Sequence, residues 1–270
     1  MEELQELSYI LTKYKTQSIE IIGDDSKQYN SKLYQLFQII QNGEAKNDNQ
    51  AALAIYGEEK ISVKYRNLKY ELKKRLLNTI LFIDTNNQKS RSDVYYQCWK
   101  EWATCRVLIG KSARKTAVKI AERIFRKAQQ FDFYELAVSV SVFLREHYGT
   151  RDQNKEKFEY YDANYDYYKR QLKYNNLAYK YYMKLILDHA TDGVMPNPQI
   201  EKDAKSYYQE LAVMKDKTDN FKFHHYLYQI QLISAMGVFN YEAAKNICIQ
   251  AIASLKQKMR IIRQATVICY

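Results

Sequence analysis

Helix interiors exclude glycine, which costs backbone entropy, and proline, which lacks the N–H donor and clashes with the preceding turn. This chain of 270 residues contains only seven glycines and two prolines. Long helices follow, and the positions of these few residues mark candidate breaks. The glycines are Gly23, Gly43, Gly57, Gly110, Gly149, Gly193 and Gly237, and the last four are spaced 39, 44 and 44 residues apart. Pro196 and Pro198 stand beside Gly193 in the loop-like stretch TDGVMPNPQ.

Between these glycines, polar or aromatic breaks occur at Phe131-Asp132, at Tyr174-Asn175-Asn176 and at Lys217-Thr218-Asp219-Asn220. Each interval then holds two helices, and each of the last four glycines sits inside a hairpin. The predicted pairs are 91–109 with 112–130, 134–148 with 152–173, 176–190 with 197–216, and 220–236 with 240–256. A period of about 42 residues is the signature of a helical solenoid.

The small residues supply a second line. Helix 112–130 contains Ala121-x3-Phe125-x2-Ala128, and the last hairpin contains Tyr241-x2-Ala244-x3-Cys248-x2-Ala251. Trp102 and Leu108 occupy the preceding helix. This pattern resembles the second half of a tetratricopeptide motif, in which small residues seven apart let two helices approach closely. The resemblance covers residues 91–257; its period exceeds the usual 34 residues, and the middle two hairpins lack the alanine pattern. It implies an all-α chain, with residues 87–270 forming a right-handed α-solenoid of antiparallel hairpins. Residues 1–86 do not share the period and read as a small helical domain or cap, with helices near 2–14, 29–42, 47–56 and 61–83. A polar stretch, DTNNQKSRSD, links the two parts. In this register residues 258–270 are the first helix of a fifth hairpin without its mate, so the chain is either truncated at its C-terminus or docks this helix on another chain, self-association included.

Four cysteines, Cys98, Cys105, Cys248 and Cys269, form no C-x-x-C pair and lack a histidine at ligand spacing, which predicts reduced and mostly buried thiols. The acidic N-terminus, MEELQELSYILTKYK, has no signal-peptide architecture, and apolar runs such as 80–83 fall far short of the roughly 20 residues that span a bilayer. A cytoplasmic location without membrane contact is the expectation. The net charge of +11 permits acidic partners or nucleic acid, so the placement of the cations matters more than their number.

Three surfaces stand out. On helix 112–130, Ala113, Ala117, Ile120, Ala121, Ile124 and Ala128 form the buried stripe, while Lys115, Lys119, Arg123 and Arg126 line the opposite face. That ridge suits a polyanion or an acidic partner; the alternative is a solvated outer face. Residues 47–75 resemble a helix-turn-helix, with Gly57 at the turn and Lys64, Arg66, Lys69 and Lys73 as candidate DNA contacts among further cations Lys74 and Arg75. Against it, the second helix is long and its cations flank both sides of the stripe Tyr65, Leu68, Leu72, Leu76, Ile80, Ile83. In the tyrosine-dense segment 158–182, Phe158, Tyr161, Tyr165, Tyr168 and Leu172 recur at helical spacing as core, whereas Tyr160 and Tyr167 fall off that stripe as candidate peptide contacts.

Catalytic signals are poor. Glu146-His147 and Asp188-His189 are adjacent pairs whose side chains diverge on a helix, and His224-His225 has no third ligand at metal spacing. No H-E-x-x-H, G-x-S-x-G or phosphate-cradling glycine loop occurs. The sequence therefore predicts no enzyme, cofactor or metal. The leading expectation is a protein-interaction scaffold that binds a peptide or partner helix on the inner surface of the stack. The alternative is a nucleic-acid-binding regulator that contacts DNA through residues 1–86.

Overall fold

The computed structural model describes residues 1–13, 31–58, 60–81, 83, 90–192 and 197–267, with side chains of the last helix as far as Lys256. All regular structure among these residues is helical. The chain divides into two compact units, Met1–Asp93 and Val94–Tyr270. Gly23, Gly193, Pro196 and most of the predicted linker lie outside the described residues.

The first unit holds α1 (Glu2–Lys13), α2 (Lys32–Gln41), α3 (Asp48–Tyr56) and α4 (Val63–Ile80). Polar caps start α2, α3 and α4: the side chains of Ser31, Asn47 and Ser62 accept from the backbone N–H groups of Tyr34, Gln50 and Tyr65. Gly57 ends α3 in the left-handed region, at φ 72°, and donates to the Leu53 carbonyl. Tyr65, Leu72 and Leu76 of α4 are buried among Leu4, Leu11, Leu36, Ala51 and Ala52, with Leu68, Ile80 and Ile83 packed beside them. The stripe read from the sequence is thus the face that α4 buries.

In the second unit, α5 (Arg91–Gly110), α6 (Arg114–Gln130) and α7 (Tyr134–Thr150) follow one another through turns of three residues. Alanines decide the spacing. Ala117, Ala121 and Ala128 are fully buried, and the Cys105 thiol comes close enough to donate to the Ala117 carbonyl at 2.8 Å. Helix α8 (Lys155–Asp192) is followed by α9 (Pro198–Ala212), a single 3-10 turn (Lys215–Lys217), α10 (Phe221–Met236) and α11 (Tyr241–Val267). From α6 to α11 each helix packs on the next, and α10 additionally meets α8, while α11 reaches α6.

Three expectations need correction. Residues 152–173 and 176–190 are not separate helices, because α8 runs unbroken through Tyr174-Asn175-Asn176 for 38 residues. Asparagine costs a helix interior only a few tenths of a kcal/mol. Burial on both sides of the asparagines offsets that cost: Tyr161 and Tyr168 join the core of α5 to α7, and Ala178 and Leu185 join a second core with Ile200, Ala204, Phe223 and Leu227. One helix therefore belongs to two cores. Residues 258–267 do not begin a fifth hairpin either; they continue α11 without a break.

Gly110 and Gly237, finally, do not make the turns predicted at them. Gly110 is the last residue of α5 and Gly237 has φ −59°, while the non-glycine left-handed residues among those described are Ser112, Asp132, Gln153 and Phe239. After three of these, the next N–H donates five residues back: Ala113 to Leu108, Phe133 to Ala128 and Asn240 to Ala235, each at 2.9 Å. This recurring hydrogen bond closes the helix ends and offsets the left-handed strain of a non-glycine residue. Gly149 has a packing role, since a Cβ there would stand 2.9 Å from Cδ2 of Phe158.

Candidate partner-binding surface

Helix α6 buries Ala117, Ala121, Ile124 and Ala128 of the predicted stripe, whereas Ala113 and Ile120 are only half-buried. Ala117, Val118, Ala121, Ile124, Phe125 and Ala128 are buried, and Lys115, Lys119, Arg123 and Arg126 are exposed. The four cations are not equivalent. Arg123 approaches Glu101 of α5 at 3.2 Å, with Lys127 on the same carboxylate at 4.0 Å. Lys115, Lys119 and Arg126 form no ion pair among the described residues.

Phe125 connects this ridge to the tyrosines of α8. Its ring meets those of Tyr161, Tyr168 and Tyr160 edge-on, with centroids at 5.2, 6.1 and 6.3 Å. Beside it the Gln129 amide donates to Asn164, whose own amide donates to the Tyr160 carbonyl. Tyr160 is 49% exposed. The structure thus brings Tyr160 alongside the C-terminal part of the basic ridge. Tyr167 is 44% exposed but stands elsewhere: partial burial and the carboxylates of Asp132 and Asp219 push its phenol above the usual range. It belongs to the end of the unit where the turns lie.

The intervening acid, Glu122, is already engaged. It accepts from the Tyr148 hydroxyl at 2.6 Å and lies 3.4 Å from the Lys157 ammonium, which also donates to the Tyr148 oxygen at 3.0 Å. Tyr148 stacks on Tyr161 at 5.6 Å, nearly parallel. Three helices are tied by this cluster, with Glu122 from α6, Tyr148 from α7, and Lys157 and Tyr161 from α8. It removes the one acid that would neutralise the ridge from within. Nearby, the Arg114 guanidinium donates to Nδ1 of His147 at 3.4 Å and approaches Glu146 at the same distance. Burial and this cation hold the imidazole below its ordinary pKa. Spacings of 26 and 35 residues, Glu122 to Tyr148 and to Lys157, carry no signal in the sequence, so this cluster was not legible there.

The N-terminal cations divide in the same manner. Lys64 and Arg66 of α4 are exposed. Lys69 binds Asp48 of α3 at 2.8 Å, and Lys73 binds Glu3 of α1 at 2.6 Å. The Tyr65 hydroxyl also donates to Asp48 at 2.9 Å. Burial pushes the Asp48 carboxyl upward, but the bonds from Lys69 and Tyr65 outweigh it and hold the group below its usual range.

Cys98 and Cys105 are buried and Cys248 is exposed. Burial pushes the Cys98 thiol up to about 11, which keeps it protonated at neutral pH. His224 is buried, with Nε2 at 2.8 Å from the Thr218 carbonyl. Among the described residues no helix is long and apolar enough to cross a membrane, and no group of three His, Cys, Asp or Glu side chains is placed to hold a metal ion. Comparison with known proteins finds no matching family model, no matching curated protein and no matching solved structure.

Proposed function

We propose that the chain is a protein-interaction scaffold, and that its second unit is a right-handed α-solenoid holding an acidic peptide or partner helix against the α6–α8 surface. One observation carries this reading. Lys115, Lys119 and Arg126 are exposed and form no ion pair with an acid among the described residues, and they stand beside an exposed tyrosine that the core fixes from behind. At 1.5 Å per residue the three cations span about 16 Å along α6, which matches an extended acidic segment of about five residues. Tyr160 supplies rigid amphipathic area at small entropic cost. Fold alone would not justify the assignment; the unneutralised ridge does.

The test is selection from a displayed library of acidic peptides, followed by fluorescence anisotropy. The triple variant Lys115→Glu, Lys119→Glu, Arg126→Glu is expected to weaken selected peptides at least about tenfold, and to flatten their salt dependence. Enrichment of no peptide over background would remove the proposal. Exposed Lys64 and Arg66 keep a second reading open, in which the first unit contacts nucleic acid, although Lys69 and Lys73 are held by Asp48 and Glu3. Retardation of duplex DNA at low salt that vanishes on Lys64→Glu, Arg66→Glu would favour that reading.

A further inference from the structure

Two stretches that read as breaks in the sequence, Tyr174-Asn175-Asn176 and Lys217-Thr218-Asp219-Asn220, come together in the structure. The Thr218 hydroxyl donates to Oε1 of Gln171, and the Gln171 amide donates to the Lys217 carbonyl at 3.4 Å. Farther along, the rings of Tyr174 and Phe223 stand 6.5 Å apart, and those of Tyr179 and Tyr226 5.2 Å. Helices α8 and α10 therefore run side by side in the same direction, and Asn175 and Asn220 lie between the contact at Thr218 and that at Tyr226. Gln171 and Ala178 are buried on α8, and Asn175, four residues after the first and three before the second, shares their face. The core of α5 to α7 reaches Leu172 and the second core starts at Tyr174 and Leu177, so these polar side chains form a seam between two apolar cores.

Thr218 organises the wall opposite α8. Its Oγ1 accepts from the Asn220 N–H at 3.1 Å, and its carbonyl accepts from Nε2 of His224 at 2.8 Å. Asn220 in turn starts α10: its Oδ1 accepts from the N–H groups of Lys222 and Phe223 at 2.9 and 3.3 Å, which fixes Nδ2 as the end turned elsewhere. Asn220 is 2% exposed, and this Nδ2 has no hydrogen-bond partner among the described residues. The same holds for the buried Oδ1 of Asn175 on the α8 wall. One donor and one acceptor are thus taken out of water without a protein partner, and each carries its full desolvation penalty unless something joins them. A group that serves both must accept from an amide N–H and donate to an amide oxygen. A metal ion or an ammonium ion cannot accept from Nδ2, and a halide cannot donate to Oδ1. Water does both, within the two to four polar partners usual for a buried molecule. We infer that the seam between α8 and α10 is a water-binding site, where one ordered water accepts from Nδ2 of Asn220 and donates to Oδ1 of Asn175. Held there, it fixes the register of α10 on α8 at the level where α8 passes from one core to the other. The site is independent of the α6–α8 surface, so either can fail without the other.

NMR of the full chain, carrying isotope-labelled asparagine, tests this directly. The side-chain amide of Asn220 is identified by its loss in Asn220→Asp, which keeps the capping oxygen. In the wild type that amide is expected to show a cross-peak to water whose sign in the rotating frame is opposite to the diagonal, the mark of a dipolar contact with a held molecule and not of proton exchange. Asn175→Leu is close in shape but removes the acceptor, and should abolish the cross-peak; Asn176→Leu, on the exposed side of α8, should leave it. No dipolar cross-peak in the wild type would overturn the inference, whether or not the variants fold. So would a cross-peak of full intensity in Asn175→Leu, which would show that the signal is relayed by the Thr218 hydroxyl.

Discussion

Replacing Asn176 by proline asks whether α8 is one helix or two. In an α-helix the N–H of residue 176 donates to the carbonyl of Leu172, and the pyrrolidine ring would both delete that bond and collide with the carbonyl. The cost in a helix interior is about 3 kcal/mol. Asn176 is exposed, so no packing is lost in the exchange and the backbone penalty stands nearly alone. At a hairpin turn the same proline would cost a few tenths of a kcal/mol or stabilise. For a unit of this size each kcal/mol moves the melting temperature by about 2–4 °C, so Asn176→Pro is expected to lower it by roughly 6–12 °C. Asn176→Ala, the control, gains a few tenths. Because α8 serves both cores, its interruption should also split one thermal transition into two, read by near-ultraviolet circular dichroism against calorimetry. A proline variant within about 1 °C of the parent would refute the continuous helix and restore the hairpin.

Further expectations follow from single contacts. Gly149→Ala gains helix propensity but drives a methyl to 2.9 Å from Phe158; it should destabilise by about 1 kcal/mol net, and Phe158→Leu in the same chain should recover most of the loss in chemical denaturation. His147 is held below its ordinary pKa, so the unfolded chain binds the proton first as pH falls: stability is complete above the ordinary value of 6.5 and is lost as pH drops from there toward the folded pKa. Arg114→Gln removes the neighbouring cation and should move the His147 titration upward in NMR; an unmoved titration would deny the contact. Asp48 is likewise depressed, so its stabilising share is present above the usual carboxylate range and lost on acidification, and Asp48→Asn should flatten that acid limb of the first unit.

The helices themselves were legible because the chemistry that forms them is local. Ser62 caps α4 and Tyr65, Leu72 and Leu76 repeat along one face, all within a single turn-to-turn pattern that a sequence displays directly. What misled was the assumption that a glycine must mark a turn. Ser112, Asp132 and Phe239 adopt the left-handed conformation because the hydrogen bond to the carbonyl five residues back is worth more than the strain, a balance no single residue type announces. Likewise Asn175 and Asn176 look like a break until the cores on either side of them are counted, and those cores assemble from residues far apart in the chain.

The binding surface shows the same division. Periodicity alone placed Lys115, Lys119, Arg123 and Arg126 on one ridge, and burial agrees. Which of them are available depends on long-range neighbours: Glu101 takes Arg123 from another helix, while Tyr148 and Lys157 occupy Glu122, the acid that would otherwise screen the ridge. A charge read from sequence therefore overstates the free cations at one position and understates them at another. The same holds in the first unit, where Asp48 and Glu3 engage two of four basic residues. If partner recognition is electrostatic, Glu122→Gln is the decisive perturbation. It frees the Lys157 ammonium and adds one net positive charge beside Lys119 and Arg126, so an acidic ligand should bind more tightly and with a steeper salt dependence. A ligand indifferent to Glu122→Gln, yet lost on Tyr160→Ala, would show that aromatic area and not the ridge holds it.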